Sequence, residues 1–524
     1  MRVPAGAVCL FAWLGLGCEG TTADPDESTP TPSSLVSEES PGGDEEHGPG
    51  GGRFGRARRV TDLIQTPTPS PDPGWPRPSH LVDFRGEVYF AVDYSTGYPE
   101  GELWASDGTS RNTRRIQSFP PSAGMFNGIS KAQVIRDTLY LTINHTEMYG
   151  EAWASDGTTP GTVRLMDSPT PFGNSVTPVM PIRNRLYFLR ALLPSPYDPG
   201  PTELWSTDGT LAGTRPVFTL SNETYGPATS CEASAGDWLF FGLIGSETGN
   251  EPWVSDGTPE GTRLLKDLRP GPLGSVPCSG GPPMAVGDEV YFTPSRTGEP
   301  ELWTTNGTEA GTRKVLDAPA TLLQQTKDHL YVLQHQSVGL TVWKLRIRKG
   351  PDGAPELVVT IPSAPGARYP PSLMSSLMVD GRLYLMLLVN GAEEGEPNGQ
   401  LWVTDGSNPG TRLLHDKVTV RQNSAPLIER YDMLGIGNHV LFGCHTQDQG
   451  RELCVTDGTI RGTGLLQELE PGSASSSPHA FTCAGRNIYF VAHDEEHGYE
   501  LWKLKPHPGL HPSTSCVTSP RGQQ

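Results

Sequence analysis

Short apolar and aromatic runs recur along the chain, and each is bounded by glycine, asparagine or aspartate. Four of them are VYF at 88–90, LYL at 139–141, LYF at 186–188 and IYF at 488–490. Runs of β-branched and aromatic residues between turn-forming residues are typical of short strands. No segment shows the 3.6-residue spacing of apolar positions that indicates an amphipathic helix. The pattern therefore predicts an all-β protein.

Each aromatic run is followed by a copy of one motif, which reads ELWASDGT at 102–109 and ELWSTDGT at 203–210. Nine copies follow one another at intervals of 40 to 59 residues, and two of them, TVWKLR at 341–346 and ELWKLK at 500–505, have lost the DGT part. Eight of the 11 tryptophans stand in the third position of the motif, namely Trp104, Trp153, Trp205, Trp253, Trp303, Trp343, Trp402 and Trp502. Four short strands in a repeat of about 50 residues predict one propeller blade per copy.

The two ends of the repeat array look like parts of one blade. The array opens with RVTDLIQ at 59–65, which resembles the last strand of a copy, and it closes with ELWKLK, a third strand without a fourth. In a ring this split leaves no long unpaired strand edge, because the shared blade closes the circle. We therefore predict a single β-propeller of nine four-stranded blades, closed by an N-terminal strand that completes the last blade. Eight blades with one displaced copy, or two smaller rings, are the alternatives.

The repeats resemble those of the bacterial ELWxxDGT repeat proteins, whose motif is specific to that family. The resemblance extends over residues 60–505. It implies a secreted or lipid-anchored, extracytoplasmic repeat domain, and it implies no established catalytic activity.

The N-terminal part carries an export signal. Arg2 precedes the apolar run AGAVCLFAWLGL at 5–16, which is too short to span a bilayer. Gly17-Cys18 resembles a bacterial lipobox, in which the cysteine is lipidated, although Gly15 stands where that motif prefers leucine. We predict a lipoprotein anchored to the bacterial cell envelope through Cys18; an ordinary cleaved signal and a secreted protein are the alternative. The predicted plan is a signal peptide at 1–18, a disordered acidic Pro/Ser/Gly tether at 19–58, the propeller at 59–505 and a tail at 506–524.

Charge and composition limit the partners. Lys and Arg number 40 against 59 Asp and Glu, and a chain with a net charge of −19 repels nucleic acid. No phosphate loop, dinucleotide fingerprint, Cys-x-x-Cys or His-x-x-x-His pattern occurs, so we predict no cofactor and no metal ion. The remaining partners are a membrane, through the N-terminal lipid, and an unidentified protein or polysaccharide ligand. The oligomeric state is open.

The aspartate of the DGT motif could hold calcium or form a hairpin turn. One copy has Asn306 in its place, which keeps an acceptor oxygen but loses the charge. A calcium loop also needs several oxygens close together, whereas each motif offers one carboxylate. Asp accepts backbone hydrogen bonds in turns, and Gly adopts positive φ without strain. We therefore predict structural turns at Asp107 and Gly108, Asp156 and Gly157, Asp208 and Gly209, Asp256 and Gly257, Asn306 and Gly307, Asp405 and Gly406, and Asp457 and Gly458.

The motif tryptophan could be a platform on which a carbohydrate stacks, but its recurrence in nearly every copy favours packing between blades. The motif glutamate could form an ion pair across a hairpin with the arginine that follows the GT pair. The arginines in this position are Arg215, Arg263, Arg313 and Arg412.

Six cysteines remain outside the signal segment, and an even number in an exported protein favours disulfide bonds. Cys454 replaces the motif tryptophan, and Cys444 lies on the preceding strand, so a bridge between them could substitute for the missing indole. The candidate pairs are Cys444–Cys454, Cys231–Cys278 and Cys483–Cys516.

Catalytic signatures such as a Gly-x-Ser-x-Gly elbow are absent, and we assign no catalytic residue. His145, His445, His493 and His497 lie near strand ends in different copies and could meet near one opening of the ring.

The sequence therefore predicts a non-enzymatic surface lipoprotein, whose propeller is a scaffold for binding a protein or a polysaccharide. The loops suited to recognition are those at 93–101, 193–201 and 390–399. The alternative is an extracellular polysaccharide hydrolase or lyase with its active site at the channel mouth. It requires two carboxylates, or a histidine and a carboxylate, within about 5–10 Å.

Overall fold

The computed structural model divides the chain into two units, residues 1–44 and residues 45–524. It describes residues 49, 52–63, 76–94, 101–119, 128–144, 150–166, 174–178, 180–192, 200–296, 298–336, 339–346, 355–363, 370–389, 398–418, 431–446, 449–510, 512 and 516–519. The predicted signal peptide with Cys18 lies outside these residues, and so does the predicted tether up to residue 48.

The described part of the second unit consists of short strands that pair in antiparallel order, as their sequence pattern predicts. In chain order they are β1 (Arg58–Arg59), β2 (Pro76–Phe84), β3 (Glu87–Tyr94), β4 (Gly101–Ser106), β5 (Arg114–Phe119), β6 (Gly128–Ile135), β7 (Thr138–Asn144), β8 (Gly150–Ser155), β9 (Thr162–Arg164), β10 (Asn174–Val176), β11 (Met180–Ile182), β12 (Arg185–Leu192), β13 (Gly200–Thr207), β14 (Arg215–Ala235), β15 (Trp238–Gly245), β16 (Gly249–Ser255), β17 (Arg263–Leu264), β18 (Met284–Val286), β19 (Glu289–Phe292), β20 (Glu301–Thr305), β21 (Arg313–Pro319), β22 (Thr321–Gln325), β23 (His329–Gln336), β24 (Gly339–Arg346), β25 (Glu356–Pro362), β26 (Ser372–Val379), β27 (Arg382–Val389), β28 (Asn398–Thr404), β29 (Arg412–His415), β30 (Leu434–Ile436), β31 (His439–Thr446), β32 (Gln449–Thr456), β33 (Gly464–Gln467), β34 (His479–Ala484), β35 (Asn487–Asp494), β36 (Gly498–Leu504) and β37 (Cys516–Thr518). A 3-10 helix spans Ser110–Asn112 between β4 and β5.

The strands form nine blades, which we number in chain order. Blade 1 is β2–β5, blade 2 is β6–β9, blade 3 is β10–β13 with the first half of β14, and blade 4 is the second half of β14 with β15–β17. Blades 5, 6 and 7 are β18–β21, β22–β25 and β26–β29, blade 8 is β30–β33, and blade 9 is β34–β36 with β1. The first strands of neighbouring blades contact each other, as β2 does with β34 and β6. These first strands therefore surround the centre of the ring.

The N-terminal strand closes the ring. Arg58 pairs with Lys503 and Arg59 with Trp502, so that β1 becomes the fourth strand of blade 9. The backbone N–H of Val60 then donates to the carbonyl of Leu501 at 2.7 Å. The predicted nine-bladed propeller with a composite blade is confirmed, and the eight-bladed and two-ring alternatives are wrong.

Apolar side chains fill the junctions between consecutive blades. The described residues contain nine hydrophobic clusters, and each joins one blade to the next. At the junction of blades 9 and 1, Val491 and Leu501 meet Val88 and Phe90, all fully buried. Burying one such side chain contributes about 1.5–3 kcal/mol. Side chains as well as strand pairing therefore hold the ring closed.

The ring has two faces, because the strands of a blade alternate in direction. The turns from the first to the second strand and from the third to the fourth lie at one end. We call this end the turn face, and it carries the DGT motifs. The opposite end, where the second strand leads to the third, is the loop face.

The C-terminal tail reaches the centre of the ring. β37 pairs with β30, with Leu434 opposite Thr518, and it contacts β26 and β34 of the neighbouring blades. The backbone N–H of Ser519 donates to the carbonyl of Met433, and the N–H of Met433 donates to the hydroxyl of Ser519, both at 3.0 Å. β37 is thus a fifth strand at the inner edge of blade 8 and occupies part of the central channel.

Candidate active site

The DGT turns are held by hydrogen bonds among their own residues. In blade 2 the backbone N–H and the hydroxyl of Thr158 both donate to Asp156 Oδ1, at 2.9 and 2.7 Å. In blade 5 Asn306 accepts the same two bonds from Thr308, at 3.1 and 2.7 Å. The bonds from Thr158 lower the pKa of Asp156. No group of three or more His, Cys, Asp or Glu side chains is placed to hold a metal ion in the described residues.

The same turns join neighbouring blades. Gly157 has a φ of +93°, and a Cβ atom there would lie 2.5 Å from the hydroxyl oxygen of Tyr89 in blade 1. Other turns repeat this arrangement, with Gly108 over Tyr489, Gly209 over Tyr140, Gly257 over Tyr187, Gly406 over Tyr331 and Gly458 over Tyr384. In blade 5 the indole of Trp238 lies beneath Gly307 instead. Each DGT turn therefore packs on an aromatic ring of the preceding blade, and a side chain in place of its glycine would clash.

Every motif tryptophan lies in the apolar junction with the preceding blade. Trp153, for example, packs edge-on against Phe119 of blade 1, with ring centroids 5.0 Å apart. Cys454, which replaces the tryptophan in blade 8, occupies the same place between blades 7 and 8. The position is therefore used for contact between blades along the whole ring.

The motif glutamate binds the tryptophan two residues further on. Trp104 Nε1 donates to Glu102 Oε2 at 2.8 Å, and Arg115 donates to the other carboxylate oxygen at 2.7 Å. In blades 2 and 5 the same cationic position is held by Arg164 and Lys314. The partner is thus the second residue after the GT pair, which corrects the prediction of the first residue, Arg215, Arg263, Arg313 or Arg412. Side chains alternate between the two sides of a strand, so the first residue after GT faces the other side.

In blades 4, 8 and 9 the motif glutamate is fully buried and binds backbone instead. Glu500 accepts hydrogen bonds from the N–H of Leu63, at 2.7 Å, and from the hydroxyl of Thr61, both in the segment that closes the ring. Glu251 and Glu452 hold the segments that lead to the next blade in the same way. Burial raises the pKa of Glu500 to about 7 and that of Glu251 to about 6.

Disulfide bonds are confirmed, and they join the cysteines in the three pairs that the sequence favours. The pairs are Cys231–Cys278, Cys444–Cys454 and Cys483–Cys516, with Cα atoms 5.5, 5.8 and 6.4 Å apart. The last of them fixes β37 to β34. Three disulfide bonds are consistent with an extracellular location. Over the same described ranges, no helix has the length and apolar character needed to cross a membrane.

The four histidines singled out in the sequence do not form one group. His145 lies outside the described residues, and His445 in blade 8 faces Arg451 across the β31–β32 pair. His497 Nδ1 lies 2.7 Å from Asp494 Oδ1, so a histidine and a carboxylate do meet at the loop face of blade 9. His493 packs with its ring centroid 5.1 Å from that of Tyr499.

Tyr499 is the centre of a cluster that we call the Tyr499 cluster, consisting of Arg77, His479, His493 and Tyr499. The Arg77 guanidinium carbon lies 4.9 Å from the centroid of the Tyr499 ring, and the His479 ring lies 5.8 Å from it. His493 and Tyr499 are directly opposite each other in the β35–β36 pair. His479 begins β34, and Arg77 lies at the start of β2 in blade 1. All four positions are strand ends at the loop face, where blade 9 meets blade 1.

The side chains of the Tyr499 cluster are half-buried, so part of each is exposed, and Tyr499 also packs against the apolar cluster between blades 9 and 1. Burial lowers the pKa of His493, although the carboxylates of Asp494 and Glu495 act in the opposite direction. His493 is therefore neutral near pH 7 and can accept a proton. His479 Nδ1 lies 2.9 Å from the carbonyl of Ser477, which can only accept, so the neutral ring keeps its lone pair on Nε2. The cluster thus combines proton acceptors, a phenol donor and a fixed positive charge.

One signal in the sequence could have revealed this site. The position before the motif glutamate, which is replaced by Gln400 in blade 7, is not fixed in the repeat: it is glycine in blades 1, 2 and 7 and a different residue in each of the other six, with Arg451 in blade 8 and Tyr499 in blade 9. The residues opposite these two are His445 and His493. A variable position beside the motif, rather than the motif itself, therefore marks the polar region. Most of the loops predicted for recognition, at 93–101, 193–201 and 390–399, lie outside the described residues.

Comparisons with known proteins assign neither a family nor an activity to this chain. No protein-family model matches the chain, and no curated protein matches it. Among solved structures, a puromycin hydrolase matches with 12% identity and a TM-score of 0.38, over 79% of this chain and 58% of that one. A Mycobacterium tuberculosis puromycin-hydrolyzing peptidase matches with 13% identity and a TM-score of 0.38, over 83% and 62%. The β-propeller domain of the Trilobed protease from Pyrococcus furiosus matches with 10% identity and a TM-score of 0.36, over 75% and 98%.

These comparisons change one prediction. The sequence predicts a non-enzymatic scaffold, and this prediction is contradicted, since the similar structures are hydrolases and proteases. The chain matches only about 58% of the length of the first of them. At 10–13% identity and TM-scores below 0.5, the likeness assigns no peptidase activity to this chain.

Proposed function

We propose that the protein is an exported enzyme that cleaves acidic polysaccharides by β-elimination at the Tyr499 cluster. The observation that carries the proposal is the contact of Arg77, His479 and His493 with the single ring of Tyr499. A guanidinium binds carboxylates, a neutral imidazole accepts protons and a phenol can donate one. Elimination from a uronate sugar needs these three groups at one place.

The chemistry assigns one role to each side chain. Arg77 binds the uronate carboxylate, and its charge stabilises the carbanion that develops beside that carboxylate. His493 accepts the proton from C5, and the electrons of the C–H bond form the C4–C5 double bond. The bond from C4 to the glycosidic oxygen breaks, and the phenol of Tyr499 protonates the departing oxygen. The neighbouring imidazolium of His493 then returns a proton to Tyr499, so no water is consumed.

The composition of the cluster favours elimination over hydrolysis. Glycosidases generally use a pair of carboxyl groups on either side of the glycosidic bond, and the four residues of the Tyr499 cluster include none. The nearby carboxylate of Asp494 is held by His497 at 2.7 Å and by Arg59 at 3.2 Å. Because both oxygens of Asp494 are held in this way, we assign this carboxylate to positioning its neighbours and not to attack on a sugar.

The proposal is tested with the mature chain on polygalacturonate and alginate, with dextran as the neutral control polymer. We expect absorbance from a double bond conjugated to the carboxylate to appear with the acidic polymers alone. Tyr499→Phe keeps the ring but removes the acid, and it should lower kcat/KM at least about 100-fold. The rate should rise with pH through the lowered pKa of His493 and level off above it, because the base must be neutral.

His329→Ala provides the matched control, because His329 begins β23 at the turn face of blade 6, away from the cluster. It should leave the rate unchanged. Absence of the unsaturated product from both acidic polymers, or full activity of Tyr499→Phe, would refute the proposal.

The lipid anchor is the second part of the proposal, and it is supported by the resemblance of Gly17-Cys18 to a lipobox. Two or more acyl chains on Cys18 would hold the enzyme on the cell envelope, whereas one chain binds only marginally. The mass of the mature N-terminal peptide, compared with that of Cys18→Ser, tests the anchor. An N-terminal peptide without lipid would contradict the anchor and would indicate a secreted protein.

A further inference from the structure

Cationic side chains fasten five DGT turns to the preceding blade. Each donates to a turn carbonyl: Arg85 to Asp156 at 2.7 Å, Arg263 to Gly307 at 2.7 Å, Lys344 to Gly406 at 3.0 Å, Arg382 to Asp457 at 3.2 Å, and Lys503 to Gly108. A charge-assisted bond of this kind is stronger than a neutral one. Five positive charges of the turn face therefore join neighbouring blades.

Among the described residues, the turns at Asp208 and Asp256 have no such bond, and the turn at Asp256 belongs to the junction of blades 3 and 4. Arg183 occupies the position of Arg85, but its guanidinium lies 3.3 Å from the side-chain carboxylate of Asp237 instead of binding the turn at Asp256. Both partners of this pair are more than half exposed, at 57% and 68%, so the pair contributes little to stability. In this part of the described chain, no cation of blade 3 donates to a carbonyl of the turn at 256–258.

The same junction carries two like charges where another blade has an ion pair. In blade 1, Glu87 at the start of the second strand accepts two hydrogen bonds from Arg114 of the fourth strand, at 2.9 and 2.8 Å. The residues at these positions in blade 3 are Arg185 and Arg215. Arg185 donates to the hydroxyl of Ser206 at 3.0 Å. Hydrogen bonds from Thr210 lower the pKa of Asp208, and the nearby charge of Arg185 adds to this effect, so Arg185 has one carboxylate in its neighbourhood outside the cleft lining.

A cleft of about 650 Å³ opens at this place. Arg183, Arg185 and Arg215 line it together with Tyr187 and Asp256. Asp256 is the one acidic residue of the lining, and its Oδ1 is occupied by the N–H and hydroxyl of Thr258, at 3.0 and 2.6 Å. The lining therefore carries an excess of positive charge in a chain whose net charge is −19.

We propose that this cleft binds an acidic oligosaccharide through the carboxylate or sulfate groups that Arg185 and Arg215 face. Arginine pairs are suited to such groups, because each guanidinium can donate two parallel hydrogen bonds. The volume is in the range of sites for ligands larger than a single ion. The cleft lies on the turn face and the Tyr499 cluster on the loop face, so this site is separate from the proposed site of cleavage. It would hold the polymer rather than cut it.

Binding to the mature chain is measured by titration calorimetry at low ionic strength, with heparin-derived and oligogalacturonate fragments as sulfated and carboxylated probes. A dextran fragment of equal length is the neutral control. We expect at least one acidic probe to bind, dextran not to bind, and affinity to fall with added salt. The acidic probe that binds more tightly identifies the anionic group.

Arg185→Glu is the decisive variant, because it recreates in blade 3 the ion pair that Glu87 and Arg114 form in blade 1. It should fold normally and bind the acidic probe at least about tenfold more weakly. The contact of Arg185 with the probe is lost, and the new glutamate neutralises the charge of Arg215. Arg412→Ala is the matched control at the Arg215 position of blade 7, where Arg382 already binds the turn. It should bind as the wild type does.

Equal losses in Arg185→Glu and Arg412→Ala would overturn the proposal, because they would show a general charge effect. Failure of the wild type to bind either acidic probe would overturn it as well. Neither outcome depends on cleavage, so the proposed elimination activity and this binding site can fail independently.

Discussion

Replacement of Glu500 by glutamine should stabilise the ring at alkaline pH. Glu500 is fully buried and holds Thr61 and Leu63 of the closing segment. Burial raises its pKa from 4.5 to about 7, although the bonds from Thr61 and Leu63 act in the opposite direction. Glutamine has nearly the same shape and remains neutral, so Glu500→Gln imitates the protonated side chain at every pH.

The sign of the effect follows from proton linkage. The folded chain holds the proton of Glu500 more tightly than the unfolded chain, so the contribution of this group to stability is largest below pH 4.5 and is lost as the pH rises through about 7. One pKa unit corresponds to about 1.4 kcal/mol, so the decline due to this one group is about 3 kcal/mol. Glu500→Gln should therefore equal the wild type near pH 4.5 and exceed it in free energy of unfolding by about 3 kcal/mol at pH 8.

Urea denaturation at pH 5 and pH 8, followed by tryptophan fluorescence, gives the required difference. Glu301→Gln is the control at the same motif position in blade 5. Burial there acts to raise the pKa of Glu301, but hydrogen bonds from Arg296, Trp303 and Lys314 outweigh it and bring the pKa to about 2. Its replacement should destabilise the protein at pH 8. If the free energy of unfolding changes between pH 5 and pH 8 by the same amount in Glu500→Gln and in the wild type, titration of the buried carboxylate does not affect the stability of the closed ring.

Two further predictions concern the joints of the ring. Gly157→Ala should destabilise the protein by about 2–4 kcal/mol in urea denaturation, because strain at positive φ adds to a clash with Tyr89. Gly271 has a φ of +106° and no atom within 4 Å of the new Cβ, so Gly271→Ala should lower the free energy of unfolding by only about 1 kcal/mol. An equal loss in both variants would show that the contact of Gly157 with Tyr89 is not the cause. Cys516→Ser should let a protease remove the tail under non-reducing conditions before it cuts the wild type, because β37 then keeps only three paired residues and its bonds at Ser519. Equal rates of cleavage would show that strand pairing alone holds the tail.

The architecture could be predicted because the same residues of the repeat form the contact at each junction between blades. The aromatic strand, the motif tryptophan and the DGT turn each contribute to the contact between one blade and the next. The split of one blade between residues near Arg59 and Trp502 could be inferred, because each end showed the strand that the other lacked. Cys444 and Cys454 could be paired, because a cysteine in the tryptophan position lies beside the preceding strand.

The Tyr499 cluster could not be predicted in the same way. Arg77 and Tyr499 stand at opposite ends of the sequence, and only ring closure brings blade 1 against blade 9. Neither position belongs to the repeated motif, and spacing along the chain gives no information about contacts between the strands of different blades. The pairing of β37 with blade 8 could not be predicted either, because a strand of only three residues is too short to show a hydrophobic pattern.

Function in this ring should therefore be sought where the repeat is broken. A residue that recurs in most blades serves the junctions, because every junction has to be made, and its chemical groups are already engaged there, as those of Asp156 and Glu102 are. A site for a ligand needs groups that the fold does not use, and such groups arise where one blade departs from the others. Arg185 stands where blade 1 has Glu87, and Tyr499 stands at a position that varies from blade to blade, each at one face of the ring. Neither residue forms a contact that recurs in every blade, although Tyr499 also packs in the junction of blades 9 and 1, so both are candidates for binding or catalysis.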